Sequence, residues 1–127
     1  MNLSEVIDNL YSAKEGSRQL DAFVAHALGW RQTRDQYVDP TSGETKTRRL
    51  WVVPTTEEHG KVPSYTTNLQ DAFDLAEQVA SGQVGACSWE GGKASSRLGL
   101  YGSTVNAATP ALALCIAALR IRAGFDT

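Results

Sequence analysis

TPALALCIAALRIRAG, from Thr109 to Gly124, is the stretch that decides the fold. Thr109 can cap the first free amides of a helix, and Pro110 suits the first helical position, where a missing N–H costs nothing. No polar residue interrupts the run from Ala111 to Leu119, and a helix that is apolar all round must be covered on most sides. The stretch therefore predicts a central helix around which the rest of the chain packs. Three of its large side chains are expected to anchor the core: Leu112, Ile116 and Leu119.

The composition is that of one globular domain. The 127 residues are 42% apolar and 20% charged, which allows a core and does not fit a disordered chain. The net charge of −2 provides no chain-wide attraction to nucleic acid or to an anionic membrane. The segment from Met1 to Glu5 lacks the regions of a signal peptide, and the apolar run of the central helix is too short to cross a bilayer. We therefore expect a cytoplasmic protein with no membrane association.

The residue types that most often carry chemistry form no catalytic or metal-binding pattern. His26 and His59 are the only histidines, and neither has a Cys or acidic residue at ligand spacing. Cys87 and Cys115 lie among apolar residues, which favours buried free thiols. The chain has no Gly-x-Ser-x-Gly motif, and the Gly-Gly-Lys of residues 91–93 lacks the rest of a phosphate-binding loop. The sequence predicts no enzyme activity, no metal site and no cofactor.

Helical and strand patterns alternate along the chain. Apolar residues recur at helical spacing in four segments, while strand-forming residues and turn signals mark two hairpins. The predicted helices cover residues 3–10, 17–28, 69–80 and 110–123, the predicted strands cover residues 30–38, 45–53, 84–90 and 94–101, and residues 55–62 and 102–108 are predicted loops. The predicted fold class is α+β, with a four-stranded, mostly antiparallel sheet, the order α-ββ-α-ββ-α and a short N-terminal helix. The helices either cover one face of this sheet or enclose it as an α/β/α sandwich.

Three segments resemble the landmarks of a known family. LDAFVA…LGW, from Leu20 to Trp30, is similar to the opening of the phage ABA sandwich domain of small phage and prophage proteins. PSYTTN…AF, from Pro63 to Phe73, resembles that family's Pro-x-Tyr-Ser-Thr-Asp segment, which enters a helix carrying an Ala-Trp pair. ATPA…AAL, within residues 108–119, resembles its closing helix. The same landmarks occur in a related group of uncharacterised lambdoid phage proteins.

The resemblance implies an architecture and an origin. It departs from the family pattern at Asn68, where the family has Asp, at Phe73, where it has Trp, and around Leu114, where the spacing changes. It implies an α/β/α sandwich of phage origin and brings no established catalytic residues. The corresponding domain assignment is one domain, residues 1–127, in which 1–16 form an N-terminal extension and 17–127 form the sandwich.

The first predicted hairpin combines basic and aromatic side chains. These residues lie in or beside it: Trp30, Arg31, Arg34, Tyr37, Lys46, Arg48, Arg49 and Trp51. Guanidinium groups and aromatic rings are common in nucleotide sites, nucleic-acid sites and protein hot spots. A solvated hairpin whose tryptophans pack on the core would have the same composition.

A candidate binding surface follows from the alternation of side chains along strands. Arg49 and Trp51 share one face of the second strand, and Arg97 and Tyr101 share one face of the fourth. If the sheet brings these two strands together, the four residues line one polar and aromatic surface, to which the loop before residue 69 adds Tyr65. Such a surface could hold an anion or stack on an aromatic ring. The alternative is that a helix covers this face.

These features predict a protein that acts by binding. The resemblance implies a phage or prophage accessory protein, and we expect its partner to be a host protein, with counter-defence as one such role. The alternatives are capture of a small anionic, nucleotide-like ligand and binding of nucleic acid, which the negative net charge disfavours. Convergence of the first hairpin's cations on a concave pocket would favour the ligand, and a flat face would favour a protein partner. The sequence leaves open whether the chain forms a homo-oligomer.

Overall fold

A computed structural model of the chain describes residues 2–100 and 102–124, which form an α+β fold. The helices are α1 (Leu3–Ser12), α2 (Arg18–Ala27), α3 (Leu69–Val79) and α4 (Pro110–Arg122). The strands are β1 (Arg31–Val38), β2 (Thr45–Val52), β3 (His59–Gly60), β4 (Gly85–Glu90), β5 (Lys93–Leu98) and β6 (Val105–Ala107). The predicted α+β class and the positions of both hairpins are confirmed.

Within the described residues, the strands form two antiparallel sheets of three strands each. Sheet A has the order β1-β2-β3, and sheet B has the order β4-β5-β6. The predicted four-stranded sheet is therefore wrong, and so is the exact element order. Each hairpin is completed by a short strand from a segment predicted to be a loop: β3 pairs with Trp51 and Val52, and β6 pairs with residues 94–96.

The difference between the hairpins explains why they do not share one sheet. A sheet needs an apolar face to pack on helices. On β5, Ala94, Ser96 and Leu98 are buried at alternate positions, whereas no residue of β1 is buried. Only the second hairpin therefore has a side that fits against the helices, and the first hairpin forms its sheet elsewhere.

Helix α4 is the central helix that the sequence predicts. The hydroxyl of Thr109 accepts a hydrogen bond from the amide of Leu112 at 3.2 Å, and Pro110 begins the helix. Every residue from Ala111 to Leu119 is buried. The three predicted anchors, Leu112, Ile116 and Leu119, are completely buried, which confirms that prediction.

Sheet B and two helices surround α4. Helices α1 and α3 pack against it, and so do β5 and β6. The small side chains of Ala94 and Ser96 allow a close approach, and the hydroxyl of Ser96 donates a hydrogen bond to the carbonyl of Ala113 at 2.7 Å. On the other side of sheet B, Ala86 and Ser88 are exposed. The described helices thus cover one side of this sheet, not both sides as the α/β/α sandwich requires.

A buried carboxylate fixes α2 to the loop that precedes α3. Asp21 is completely buried, and its Oδ1 accepts hydrogen bonds from the amide of Thr66 at 2.8 Å and from the Thr66 hydroxyl at 2.6 Å. The Nη1 of Arg18 lies 2.8 Å from the second carboxylate oxygen. The hydroxyl of Ser17 caps α2 by accepting a hydrogen bond from the amide of Leu20 at 3.1 Å. These contacts hold the N-terminal end of α2 in place.

Candidate functional site

The first hairpin, β1–β2, projects from the core. No residue of β1 is buried, and on β2 only Val52, at the base of the hairpin, is buried. The turn between the strands is closed by a hydrogen bond from the amide of Asp39 to the carbonyl of Glu44 at 2.8 Å. Gly43 has a φ of +72°, which a glycine adopts without strain. Because no strand residue other than Val52 is buried, both faces of the hairpin beyond its base are open to solvent.

One face of the hairpin neutralises its own charges, and we call it the neutralised face. The strand register places Asp35 directly opposite Arg48 and Tyr37 opposite Lys46. The Nη2 of Arg48 lies 3.0 Å from an oxygen of Asp35, and its guanidinium lies 5.3 Å from the centre of the Tyr37 ring. Arg31, on the same face, pairs with Glu57. Each of these cations already has an anion of its own chain beside it.

The turn supplies the anion for one more cation of this face. The ammonium of Lys46 lies 2.7 Å from an oxygen of Asp39. Two hydrogen bonds hold the pKa of the Asp39 carboxyl below its usual value. The larger effect comes from the ammonium of Lys46, and the smaller comes from the amide of Thr41. Asp39 therefore stays ionised at neutral pH and keeps Lys46 paired.

The opposite face carries cations without anions, and we call it the basic face. The strand register places Arg34 directly opposite Arg49. On the same face, Gln32 and Trp51 form the next pair towards the base of the hairpin, and Gln36 lies next towards the turn. Within residues 2–100 and 102–124, neither Arg34 nor Arg49 has an ion-pair partner. Like charges directly opposite each other on adjacent strands destabilise a sheet. The basic face is therefore an uncompensated pair of guanidinium groups.

The structure brings together only part of the predicted site. Arg49 and Trp51 lie on the same face of β2, with Trp51 half-buried at the base. Arg97 lies on β5 in the other sheet, where it is exposed and donates a hydrogen bond to the carbonyl of Leu100. Strand pairing thus does not join Arg49 to Arg97. The predicted contribution of Tyr101 lies outside the described residues.

Tyr65 is a core residue, and burial removes it from the predicted surface. Only 5% of it is exposed. Burial raises the pKa of its hydroxyl to about 12, although a hydrogen bond with Trp30 acts in the opposite direction. Its ring and that of Trp30 belong to the same buried cluster. The half-buried aromatic residue at the foot of the basic face is Trp51.

The thiols and the other potential metal ligands lie apart from one another in the described part of the chain. Cys115 is buried, its thiol donates to the carbonyl of Tyr65 at 3.1 Å, and burial raises its pKa far above that of a free thiol. Cys87 is half-buried and free. Among the residues described, no three His, Cys, Asp or Glu side chains lie close enough to hold a metal ion. None of the described helices combines the length and apolar character needed to cross a membrane.

Comparison with known proteins found no match to a protein-family model, to a curated protein or to a solved structure. The resemblance to the phage ABA sandwich domain, described above from three segments, therefore stays a prediction.

Proposed function

We propose that the protein binds an acidic surface of another protein through the basic face of its first hairpin. The observation that carries this proposal is the Arg34–Arg49 pair, which has no anion of its own chain beside it in the part that the structure describes. The three cations of the neutralised face and turn each have one. Carboxylates of a partner would relieve the repulsion that the fold leaves in place.

The chemistry of the two side chains suits such a partner. Arginine presents a planar set of donors that binds a carboxylate through two parallel hydrogen bonds. Trp51 lies on the same face, and Val38, further along it, is 64% exposed. Arginine and tryptophan are the residue types enriched among protein hot spots. The face therefore offers both charge and apolar contact area.

The shape of the hairpin supports a protein partner over a small ligand. Small-molecule sites are concave and bury most of the ligand. The strands beyond the hairpin base are exposed on both faces, so the basic residues lie on an open surface. Nucleic-acid binding is disfavoured because the chain as a whole carries a net charge of −2.

The proposed partner belongs to a bacterial host. This part of the proposal depends on the resemblance to phage and prophage proteins and not on the hairpin geometry. A phage accessory protein with an exposed, charged hairpin could bind and block a surface of a host protein. Counter-defence, in which the blocked protein is part of the host's defence, is one such role.

The test uses two double variants with the same change in charge. Arg34→Gln with Arg49→Gln alters the basic face, and Lys46→Gln with Arg48→Gln alters the turn and the neutralised face. Each purified protein is immobilised, exposed to a bacterial host lysate and washed, and the retained proteins are identified by mass spectrometry. Thermal melts establish that both variants fold.

The proposal predicts a protein that is retained by the wild type and by the Lys46/Arg48 variant but not by the Arg34/Arg49 variant. Equal retention by both variants would contradict it. Nucleotides extracted from the purified protein, and titration with a single-stranded oligonucleotide, test the two alternatives. Stoichiometric nucleotide, or oligonucleotide binding that depends on Arg34 and Arg49, would replace the protein partner with that ligand.

A further inference from the structure

Large apolar side chains are exposed where α3 passes beside β4. This surface is separate from the basic face, because β4 belongs to sheet B and the first hairpin belongs to sheet A. Leu69 and Phe73 are one helical turn apart and are 42% and 49% exposed. Trp89, on β4, is 67% exposed. Large apolar side chains that cluster on a surface mark a binding site more often than scattered ones do.

Phe73 borders one of two depressions beside α3 and β4, and Leu69 and Trp89 border the other. The first depression, which we call the apolar groove, has a volume of about 220 Å³ and is lined mainly by Phe73, Ala76, Ala80, Cys87, Leu98 and Leu114. A second depression of about 260 Å³, which includes Leu69, Trp89 and Pro110, lies towards the start of α4. Because Phe73 and Leu69 share one face of α3, the two depressions follow the same side of this helix.

Strand β4 forms one border of the groove and is the edge of sheet B. The amide of Gly99 donates to the carbonyl of Val84 at 2.7 Å, and Glu90 pairs with Lys93 across a two-residue turn. In an antiparallel pair, residues alternate between bonding to the neighbouring strand and pointing away from it. The even-numbered residues of β4 therefore bond to β5. The backbone groups that point outward are those of Gly85, Cys87 and Trp89.

The edge has none of the usual features that prevent pairing with another strand. Protected edges carry prolines, bulges or inward-pointing charges. Residues 85–90 are GACSWE, in which Glu90 at the end is the only charged residue and no proline occurs. All six residues pair regularly with β5. A free row of backbone donors and acceptors thus lies beside the apolar groove.

The charges along the groove indicate the chemistry of its occupant. Glu77 lines the groove, and none of the residues that line it is a Lys or Arg. Glu90 lies at the far end, in the second depression, where Lys93 partly offsets it. An occupant that carries basic residues beside its apolar ones would complement this border.

We propose that β4 and the apolar groove bind an extended, apolar and basic segment of a partner protein as an additional strand of sheet B. Its backbone pairs with the outward groups of Gly85, Cys87 and Trp89. Every second side chain points towards Leu69 and Phe73, because successive side chains of a strand lie on opposite faces. Strand addition of this kind takes its affinity from the backbone and its specificity from alternate side chains. The proposal concerns a second surface and does not depend on the first hairpin.

The test selects binders from a displayed library of random dodecapeptides on the immobilised wild-type protein. Selected peptides are synthesised, and their affinities are measured for the wild type, for Trp89→Lys and for Tyr11→Lys. Tyr11 is a matched control because it is also an exposed aromatic residue, 41% against 67%, and lies on α1, outside both depressions and the first hairpin. Neither position is buried, so both variants are expected to fold.

We expect the selected peptides to alternate apolar residues with positions rich in Lys and Arg. Trp89→Lys weakens their binding by more than about tenfold, as the loss of a hot-spot contact does, and Tyr11→Lys changes it by less than about twofold. Methylating the backbone nitrogens at alternate positions of a peptide distinguishes strand pairing from simple apolar contact. One set of alternate positions abolishes binding, and the other set does not.

Three results would overturn the proposal. The first is the absence of an enriched peptide class, and the second is equal binding by Trp89→Lys. The third is a wild-type dimer, detected by sedimentation, that Trp89→Lys converts into a monomer, because the edge would then serve a second copy of the chain.

Discussion

The two hairpins of this protein differ in what lies beneath them. Along β5, small or apolar side chains at Ala94, Ser96 and Leu98 face α4 and are buried. Along β1, long polar side chains point to both faces, and none is buried. A hairpin becomes part of a core when one of its faces is apolar and compact, and it projects when neither face is. The first hairpin is thus free to display charge, whereas the second holds the fold together.

The loss of stability caused by these exposed charges is confined to the first hairpin. The Arg34–Arg49 repulsion lies outside the core, where solvent weakens it, and the three ion pairs of the neutralised face and turn are exposed and individually weak. We therefore expect changes in the first hairpin to leave the core around α4 unaffected.

Truncation of the central helix is expected to cost the most. Leu112→Ala, Ile116→Ala and Leu119→Ala each remove a completely buried side chain, and each should lower the free energy of unfolding by about 2–5 kcal/mol. Val38→Ala, on the projecting hairpin, should change it by less than about 0.5 kcal/mol. Urea denaturation measures both. Equal losses for the helix and hairpin variants would show that the hairpin belongs to the core.

Two aspartates that pair with arginine provide a second contrast. Asp21→Ala leaves the buried amide of Thr66 without its acceptor and should cost about 1–3 kcal/mol for each unsatisfied group. Asp35→Ala breaks an exposed pair with Arg48 and should cost less than about 1 kcal/mol. Denaturation curves at low and high salt check this result. A loss of unfolding free energy for Asp35→Ala as large as that for Asp21→Ala would mean that the stability of the first hairpin is not independent of the core.

Stability should also fall at alkaline pH because of Tyr65. Burial raises its pKa from 10.0 to about 12, so the unfolded chain loses this proton at a lower pH than the folded chain does. The stabilisation is complete below about pH 10 and is lost as the pH rises from 10 towards 12. Tyr65→Phe should show a smaller decline in unfolding free energy over this range, measured by denaturation at several pH values. An unchanged decline would mean that Tyr65 does not contribute to it.

The smallest expected effect is a gain. Arg34→Glu places a carboxylate directly opposite the guanidinium of Arg49. This attraction should stabilise the protein by roughly 0.2–1 kcal/mol. Arg34→Gln removes the repulsion without adding an attraction and should give a smaller gain. Melting temperatures in low salt measure both variants. A loss of stability in both would indicate that Arg34 has a favourable role within the fold.

The sequence predicts the helices and hairpins well because their signals are local. Thr109 and Pro110 mark the start of α4, and Ser17 marks the start of α2, where each hydroxyl caps its helix as expected. The two-residue strand β3 and the three-residue β6 carry no such pattern. Each pairs with the strand just before it in the chain, but two or three residues are too few to show an alternating pattern, and for this reason the third strand of each sheet was not predictable.

The candidate site was predictable only to the extent that it is local. Alternation along β2 places Arg49 and Trp51 on one face from the sequence alone. The pairing with Arg34 depends on the register set by the turn, and the burial of Tyr65 depends on Trp30 and on the packing of the core. The acceptor role of Asp21 likewise joins residues 45 positions apart. No spacing rule within one segment reveals these contacts.

Amide hydrogen exchange in the native protein tests the central claim, that the first hairpin lies outside the core, most directly. Exchange at the amides of β1 and β2 should proceed through local opening, with protection at least about 100-fold lower than at α4 and β5, because opening free energies range from near zero to the global value. The same measurement on Arg34→Gln with Arg49→Gln should leave the protection of α4 unchanged. Protection of β1 and β2 equal to that of α4 would contradict the claim, since the hairpin would then unfold only together with the core.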